Sequence, residues 1–92
     1  MYKILPWTFA KARKLNVIVK PSQRRGKKID VYDWRGNYIT SIGAQGYLDY
    51  PTYRKFYGKT YADQRRKLYK LRHRQDRLVR GTAGWYADKL LW

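Results

Sequence analysis

The stretch TYADQRRKLYKLRHRQDRLVR, residues 60–80, sets the architecture of this 92-residue chain. Thr60 is a good N-cap, and Asp63 three residues on makes a weaker relative of the capping box. At 3.6 residues per turn Tyr61, Leu68, Leu71, Leu78 and Val79 fall within an arc of about 100°. Arg66, Lys70, Arg74 and Arg77 fall on the opposite side. This spacing predicts one long amphipathic helix over about 61–80, with an apolar face for the core and a basic stripe turned outward. Gly81 then stops the helix, and Thr82 caps a short C-terminal helix over about 83–91.

Upstream the pattern is that of strands. Leu15–Val19 is β-branched and stops at Pro21; Ile29–Tyr32 alternates and runs into the turn Asp33-Trp34-Arg35-Gly36-Asn37; Tyr38–Ile42 follows. Gly36 suits the left-handed position of a short hairpin loop. The expected result is a small antiparallel sheet of two or three strands over about 15–42, which needs a helix across one face. Gly43–Gly46 reads as a turn. Tyr47–Gly58 is an aromatic segment with a short helix starting near Pro51, in which Tyr53, Phe56 and Tyr57 have core-like helical spacing. Residues 1–14 show no clean period and contain Pro6, so they read as an extended aromatic and basic arm. Tyr2, Trp7 and Phe9 of that arm dock either into the chain's own domain or onto a neighbour. The fold class is α+β, with the arm at 1–14 and a single small domain at 15–92.

Composition bounds the function. The chain has 22 Lys and Arg against 6 Asp and no Glu, a net charge of +16. Residues 1–36 carry ten basic and two acidic side chains, 37–60 three and one, and 61–92 nine and three. A small domain with that much uncompensated charge repels itself, and a polyanion is its natural counterpart. Leu, Ile, Val and Phe total only 19 residues, so Tyr and Trp must supply much of the core. There is no Cys to build a disulfide framework or a thiolate metal site. No apolar run reaches membrane-spanning length, and the start lacks the apolar stretch of a secretory signal; the expectation is a protein that stays where it is made. His73 is the only histidine, and it has no metal-ligand spacing around it. Six dispersed aspartates form no legible paired-carboxylate site. The expectation is a protein that is not an enzyme, with no cofactor and no metal.

Two basic patches stand out as candidates for phosphate binding. The first is the helix stripe Arg66, Lys70, Arg74 and Arg77, with Lys67 and Arg80 at its edge; residues so spaced can track a phosphate backbone and release its counterions. The second is the loop around Arg24, Arg25, Lys27 and Lys28, where Ser22 and backbone N–H groups would help to clasp phosphates. A merely solvated charged surface is the alternative for each.

One further pattern is specific. The ordered series Val19-Lys-Pro-Ser22, Arg25-Gly-Lys-Lys28, Gly46-Tyr-Leu-Asp-Tyr50, Arg72-His73, Thr82-Ala-Gly84 and Leu90-Leu-Trp92 resembles an uncharacterised family of small basic proteins of DNA viruses, large ones above all. The resemblance runs from about Val17 to Trp92 and leaves out the N-terminal arm. It implies a viral origin and carries no activity with it. The matched residues read as a fold signature: Gly46 and Gly84 for close backbone approach, Asp49 as a cap or brace, and Leu90, Leu91 and Trp92 as core.

Joined to the charge, the resemblance leads to an expected function. The chain is expected to be a structural protein of a virus or phage particle that neutralises packaged genome and tethers it to the inner capsid surface, with many copies per particle. Single-stranded DNA is the preferred genome because the 16 aromatic residues exceed what so small a core needs. Tyr2, Trp7 and Phe9 would meet capsid protein. The expected location is the virion interior, and the host cytoplasm or nucleus during assembly. A capsid cement protein and a non-packaging nucleic-acid regulator are the rival readings.

Overall fold

Pro6 opens a helix instead of interrupting an arm. The computed structural model describes residues 2–92, and α1 runs from Pro6 to Leu15 with the proline in its first turn, where a missing N–H is tolerated. Asn16 closes the helix in the left-handed region at φ 58°, its N–H returning to the carbonyls of Ala12 and Arg13. The expectation of an extended arm over 1–14 is thus corrected for its greater part. Ile4, Thr8 and Ala12 are the buried positions. They step by four, but two are small, so the larger Trp7 and Phe9 hide the period in the sequence.

The chain divides into two compact units, Met1–Tyr47 and Leu48–Trp92. In the first, α1 packs on β1 (Val17–Pro21), and β2 (Lys27–Asp33) and β3 (Tyr38–Ala44) complete a three-stranded antiparallel sheet of order β1-β2-β3. The register pairs Val19 with Val31 and Ile29 with Ile42. These four are buried and share one face, each contributing about 1.5–3 kcal/mol of apolar burial. Lys20, Asp30 and Ser41 pair across the sheet on the other face. The β2–β3 turn is held by the Asp33 carboxylate, which accepts from the N–H groups of Arg35 and Asn37, both at 2.9 Å. Gly36 sits in that turn at φ 90°, as the sequence leads one to expect.

The second unit holds α2 (Tyr50–Tyr57), α3 (Lys59–Arg72) and α4 (Ala83–Leu91). Asp49 caps α2 through the N–H of Thr52 at 3.0 Å, with Pro51 in the first turn. The long helix expected over 61–80 is corrected at both ends. It starts after Gly58 without a side-chain cap and stops at Arg72, and only a single 3-10 turn, Asp76–Leu78, follows. That turn closes at Val79, and Gly81, at φ 87°, lies in the following turn that leads into Thr82 and not at the end of the helix.

The expected apolar face is also turned over. Ala62 and Tyr69 point inward, while Tyr61, Leu68, Leu71, Leu78 and Val79 are exposed. The reason is ring packing. Tyr69 is sandwiched between Trp92, at 4.3 Å and nearly parallel, and His73 at 4.4 Å. Flat rings stacked in this way exclude more water from one helix side than the leucines do from theirs.

The C-terminal signature is structural. Thr82 caps α4 by accepting from the Trp85 N–H at 3.2 Å, and Leu90 and Leu91 are fully buried. A Cβ on Gly84 would lie 3.1 Å from the Asp76 carbonyl oxygen, so this position needs glycine for close approach, as expected. Gly46 does not: a Cβ there would meet nothing within 4 Å, and its φ of 91° is what suits glycine.

Candidate nucleic-acid interface

The basic loop between β1 and β2 is built on one buried carboxylate. Asp30 accepts from Ser22 Oγ at 2.6 Å, from Ser41 Oγ at 2.5 Å and from the Gln23 N–H at 3.4 Å. Ser22 Oγ in turn accepts from the Arg24 N–H at 3.0 Å, and Tyr38 OH meets Ser41 Oγ at 2.8 Å. Burial opposes the charge on Asp30, but the hydrogen bonds from Ser22, Ser41 and Gln23, with the charge of Arg24, outweigh it and hold the pKa below the ordinary 3.8. The turn is therefore fixed, with Arg24, Arg25 and Lys27 exposed on it.

Two of its expected phosphate ligands are withdrawn. Ser22 is buried, its hydroxyl engaged by Asp30 and Arg24. Lys28 is buried as well, donating to the Tyr47 carbonyl with its ammonium 5.3 Å from the Tyr2 ring centroid. Lys28 alternates with Lys27 along the strand, so only one of the two can face outward.

The helix stripe is not a free row of cations. Arg66 pairs with Asp63 at 3.3 Å and lies 4.0 Å over the Tyr50 ring. Lys70 pairs with Asp88 at 2.8 Å. Arg74 and Arg77 lie beyond the end of α3 and turn back on it. The Arg77 Nε donates to the Lys70 carbonyl at 3.2 Å, and an Arg74 guanidinium nitrogen to the Leu71 carbonyl at 3.4 Å. Both serve the unpaired last carbonyls of the helix, where the dipole favours a cation. Lys67 and Arg80 remain on the surface, Arg80 at 5.8 Å from the Trp85 ring. Arg72, absent from the expected set, is exposed beside Arg74 at the end of α3.

Rings take the place that carboxylates have in a less basic protein. Lys11 lies over Trp7, Lys20 over Tyr32, Arg24 over Tyr38 and Arg35 over Trp34, at 5.1, 5.4, 4.9 and 4.7 Å from the ring centroids. Each such contact is worth about 0.5–1 kcal/mol at an exposed site. Lys20 opens the basic loop read from the sequence, but Tyr32, Trp34, Arg35 and Tyr38 are not among its candidates for binding. The signal was the facing of Tyr32 and Tyr38 across a hairpin, which requires the strand register to be known.

The arm residues also find partners at home. Tyr2 packs on Lys28 and Trp7 on Lys11, whereas Phe9 is exposed on α1. His73 Nδ1 lies 3.1 Å from Asp76 Oδ2, a hydrogen bond that lowers the Asp76 pKa. Among the described residues no group of three or more metal-ligating side chains comes together, and no helix is long and apolar enough to cross a membrane. No protein-family model matches the chain, and no curated protein or solved structure matches it.

Proposed function

We propose that this chain is a virion-associated basic structural protein that binds and neutralises a packaged viral genome, single-stranded DNA by preference and largely without regard to sequence. One observation carries the reading. All six aspartates are used inside the fold, each accepting at least one hydrogen bond, and the net charge of +16 that remains after them has no acidic side chain in the chain to meet it. Arg24, Arg25, Lys27, Lys67, Arg72, Arg74 and Arg80 are exposed and are the residues assigned to phosphates. The viral resemblance supplies the setting: many copies inside the virion, loaded in the host cytoplasm or nucleus during assembly. Tethering to capsid protein would fall to apolar surface, namely Phe9 and the exposed Leu68, Leu71, Leu78 and Val79. Those same residues favour the second reading, a cement protein whose cations meet acidic capsid surfaces.

A salt titration separates the two. Engagement of about six phosphates gives a log–log slope near −4 on single-stranded DNA of unrelated sequences, from about −0.7 per phosphate. Replacing Arg24, Arg25 and Lys27 by Gln should reduce that slope by about 2. Binding that is absent at physiological salt would overturn the genome reading and leave the cement protein.

A further inference from the structure

We infer that Tyr32 and Tyr38, on the outer face of the sheet, form a stacking platform for the bases of a single strand, with Lys20 and Arg24 on its phosphates. The inference rests on the proposed nucleic-acid function and says where and how that function is exercised.

Three observations lead to it. The first is register. β2 and β3 slip by one residue at Val31/Tyr32, so that Val31 faces Thr40 but Tyr32 faces Tyr38. Without this irregularity Tyr32 would face Ile39, and Tyr38 would lie on the other side of the sheet. The slip brings two rings together, 5.9 Å apart and edge to face.

The second is exposure with charge. Tyr38 is 44% exposed and Tyr32 half-buried, and each ring carries a cation, Arg24 or Lys20. Of the other tyrosines, Tyr50, Tyr53 and Tyr69 are buried, Tyr57 and Tyr61 pack on Tyr53 and on each other, Tyr86 meets Trp85 edge-on, Tyr2 lies beside the buried Lys28, and Tyr47 is exposed. A base that stacks on Tyr38 or Tyr32 has a cation already beside it for the adjoining phosphate. Such contacts to rings are weak at an exposed site, so the guanidinium is readily transferred to a phosphate.

The third is positioning. A hydrogen-bonded chain runs from Tyr38 OH through Ser41 to the Asp30 carboxylate, and on through Ser22 to the Arg24 backbone. One buried acid thereby fixes the ring on β3 and the backbone of the turn from which the Arg24 side chain extends. A buried carboxylate is an expensive way to stabilise a sheet. Here it acts as a positioning residue for a two-part contact. The occupant is a single strand because only unstacked bases offer a π-face, and stacking on aromatic side chains is tolerant of sequence.

The test compares three labelled ligands of equal length by fluorescence anisotropy: oligo(dT), a strand lacking bases, and a duplex. The wild-type chain should bind oligo(dT) at least about fivefold more tightly than the baseless strand for each base stacked. The variant Tyr32→Leu/Tyr38→Leu, with folding checked by circular dichroism, should lose that discrimination while keeping its affinity for duplex and its salt slope. Should the pair of substitutions unfold the chain, the wild-type comparison with the baseless strand still decides. Equal wild-type binding of the baseless strand with a steep salt slope would overturn the platform and leave the phosphate-binding function intact. Retained discrimination in the folded double variant would also overturn it. Failure to bind any of the three ligands would sink both.

Discussion

Replacing Lys70 by Met should test whether the basic residues of α3 are struts or phosphate ligands. The Lys70 ammonium lies 2.8 Å from Asp88, whose side chain is only 2% exposed. Deleting one partner of a buried pair costs about 3–5 kcal/mol, because the remaining charge is left without compensation. Two features reduce that here. The Lys70 side chain is 35% exposed, and Lys89 stands 3.9 Å from the other Asp88 oxygen. A loss of about 2 kcal/mol is expected, which for a chain of this size lowers Tm by roughly 8–16 °C. Thermal unfolding followed by circular dichroism reads it. The double variant Lys70→Met/Asp88→Leu removes the stranded charge and should recover much of the loss, a coupling visible in a double-mutant cycle. A cost below about 0.5 kcal/mol, within the range of ordinary surface substitutions, would refute the reasoning. So would strict additivity with Asp88→Leu.

Gly84→Ala should destabilise the second unit by about 1–2 kcal/mol, since the added methyl meets the Asp76 carbonyl at 3.1 Å and its carboxylate at 3.2 Å; a chemical denaturation curve measures it, and a neutral outcome would show that the turn moves freely. On the acid side, Asp30 has a folded pKa below its ordinary value. Its contribution is therefore complete above about pH 4 and lost as pH falls through the lower folded value, and Asp30→Asn should flatten that limb of the stability profile. On the alkaline side, burial and then the nearby Asp88 and Asp76 charges push Tyr69 up to about 12 from 10.0. The unfolded chain releases that proton first, so stability falls as pH rises from 10 toward 12, and Tyr69→Phe should weaken this dependence, leaving the part that belongs to Tyr50, which burial also raises. Added salt screens the self-repulsion of +16, so Tm should rise between low and physiological ionic strength, opposite in direction to the loss of DNA affinity; a Tm that falls would show that ion pairs outweigh repulsion.

The sheet was legible because its signals are local. β-branched runs, Pro21 and the Asp33–Asn37 turn each act within a few residues, and the short helix at Pro51 and the Thr82 cap are of the same kind. The long helix misled because its apolar stripe is genuine, yet buries less well than a ring stack assembled from residues 23 positions apart, Tyr69 and Trp92. Its end at Arg72 depends on Arg74 and Arg77 reaching back to carbonyls of Lys70 and Leu71, which no periodicity encodes. Pro6 allowed two readings, breaker or first turn, and only the burial of Thr8 and Ala12 decides for the second. Arg24, Arg25 and Lys27 are exposed on the turn between β1 and β2, as the run of basic residues around Gly26 suggests. Lys28 is turned inward because the strand begins at Lys27, two residues before the Ile29 start that the composition suggests.

The scarcity of acids links fold to proposed function. With six carboxylates for 22 cations, a fold gains most by placing each acid where several donors converge. Asp63 gathers Tyr50, Lys59 and Arg66; Asp30 gathers two hydroxyls and a backbone N–H. Some cations without an acid, Lys20, Arg24 and Arg35 among them, lie on rings, an attraction that a phosphate readily displaces because it is charged and the ring is not. The same distribution sets two kinds of basic side chain apart from the rest. Those meeting aspartate or a helix carbonyl, such as Lys70 and Arg77, hold the second unit together, and a genome strand would have to break the fold to recruit them. Those lying on tyrosine, Lys20 and Arg24, can exchange the ring for a phosphate and leave the ring to a base. On this account the salt-dependent affinity of the chain for nucleic acid follows the exposed cations, and its preference for unstacked bases follows those that lie on rings.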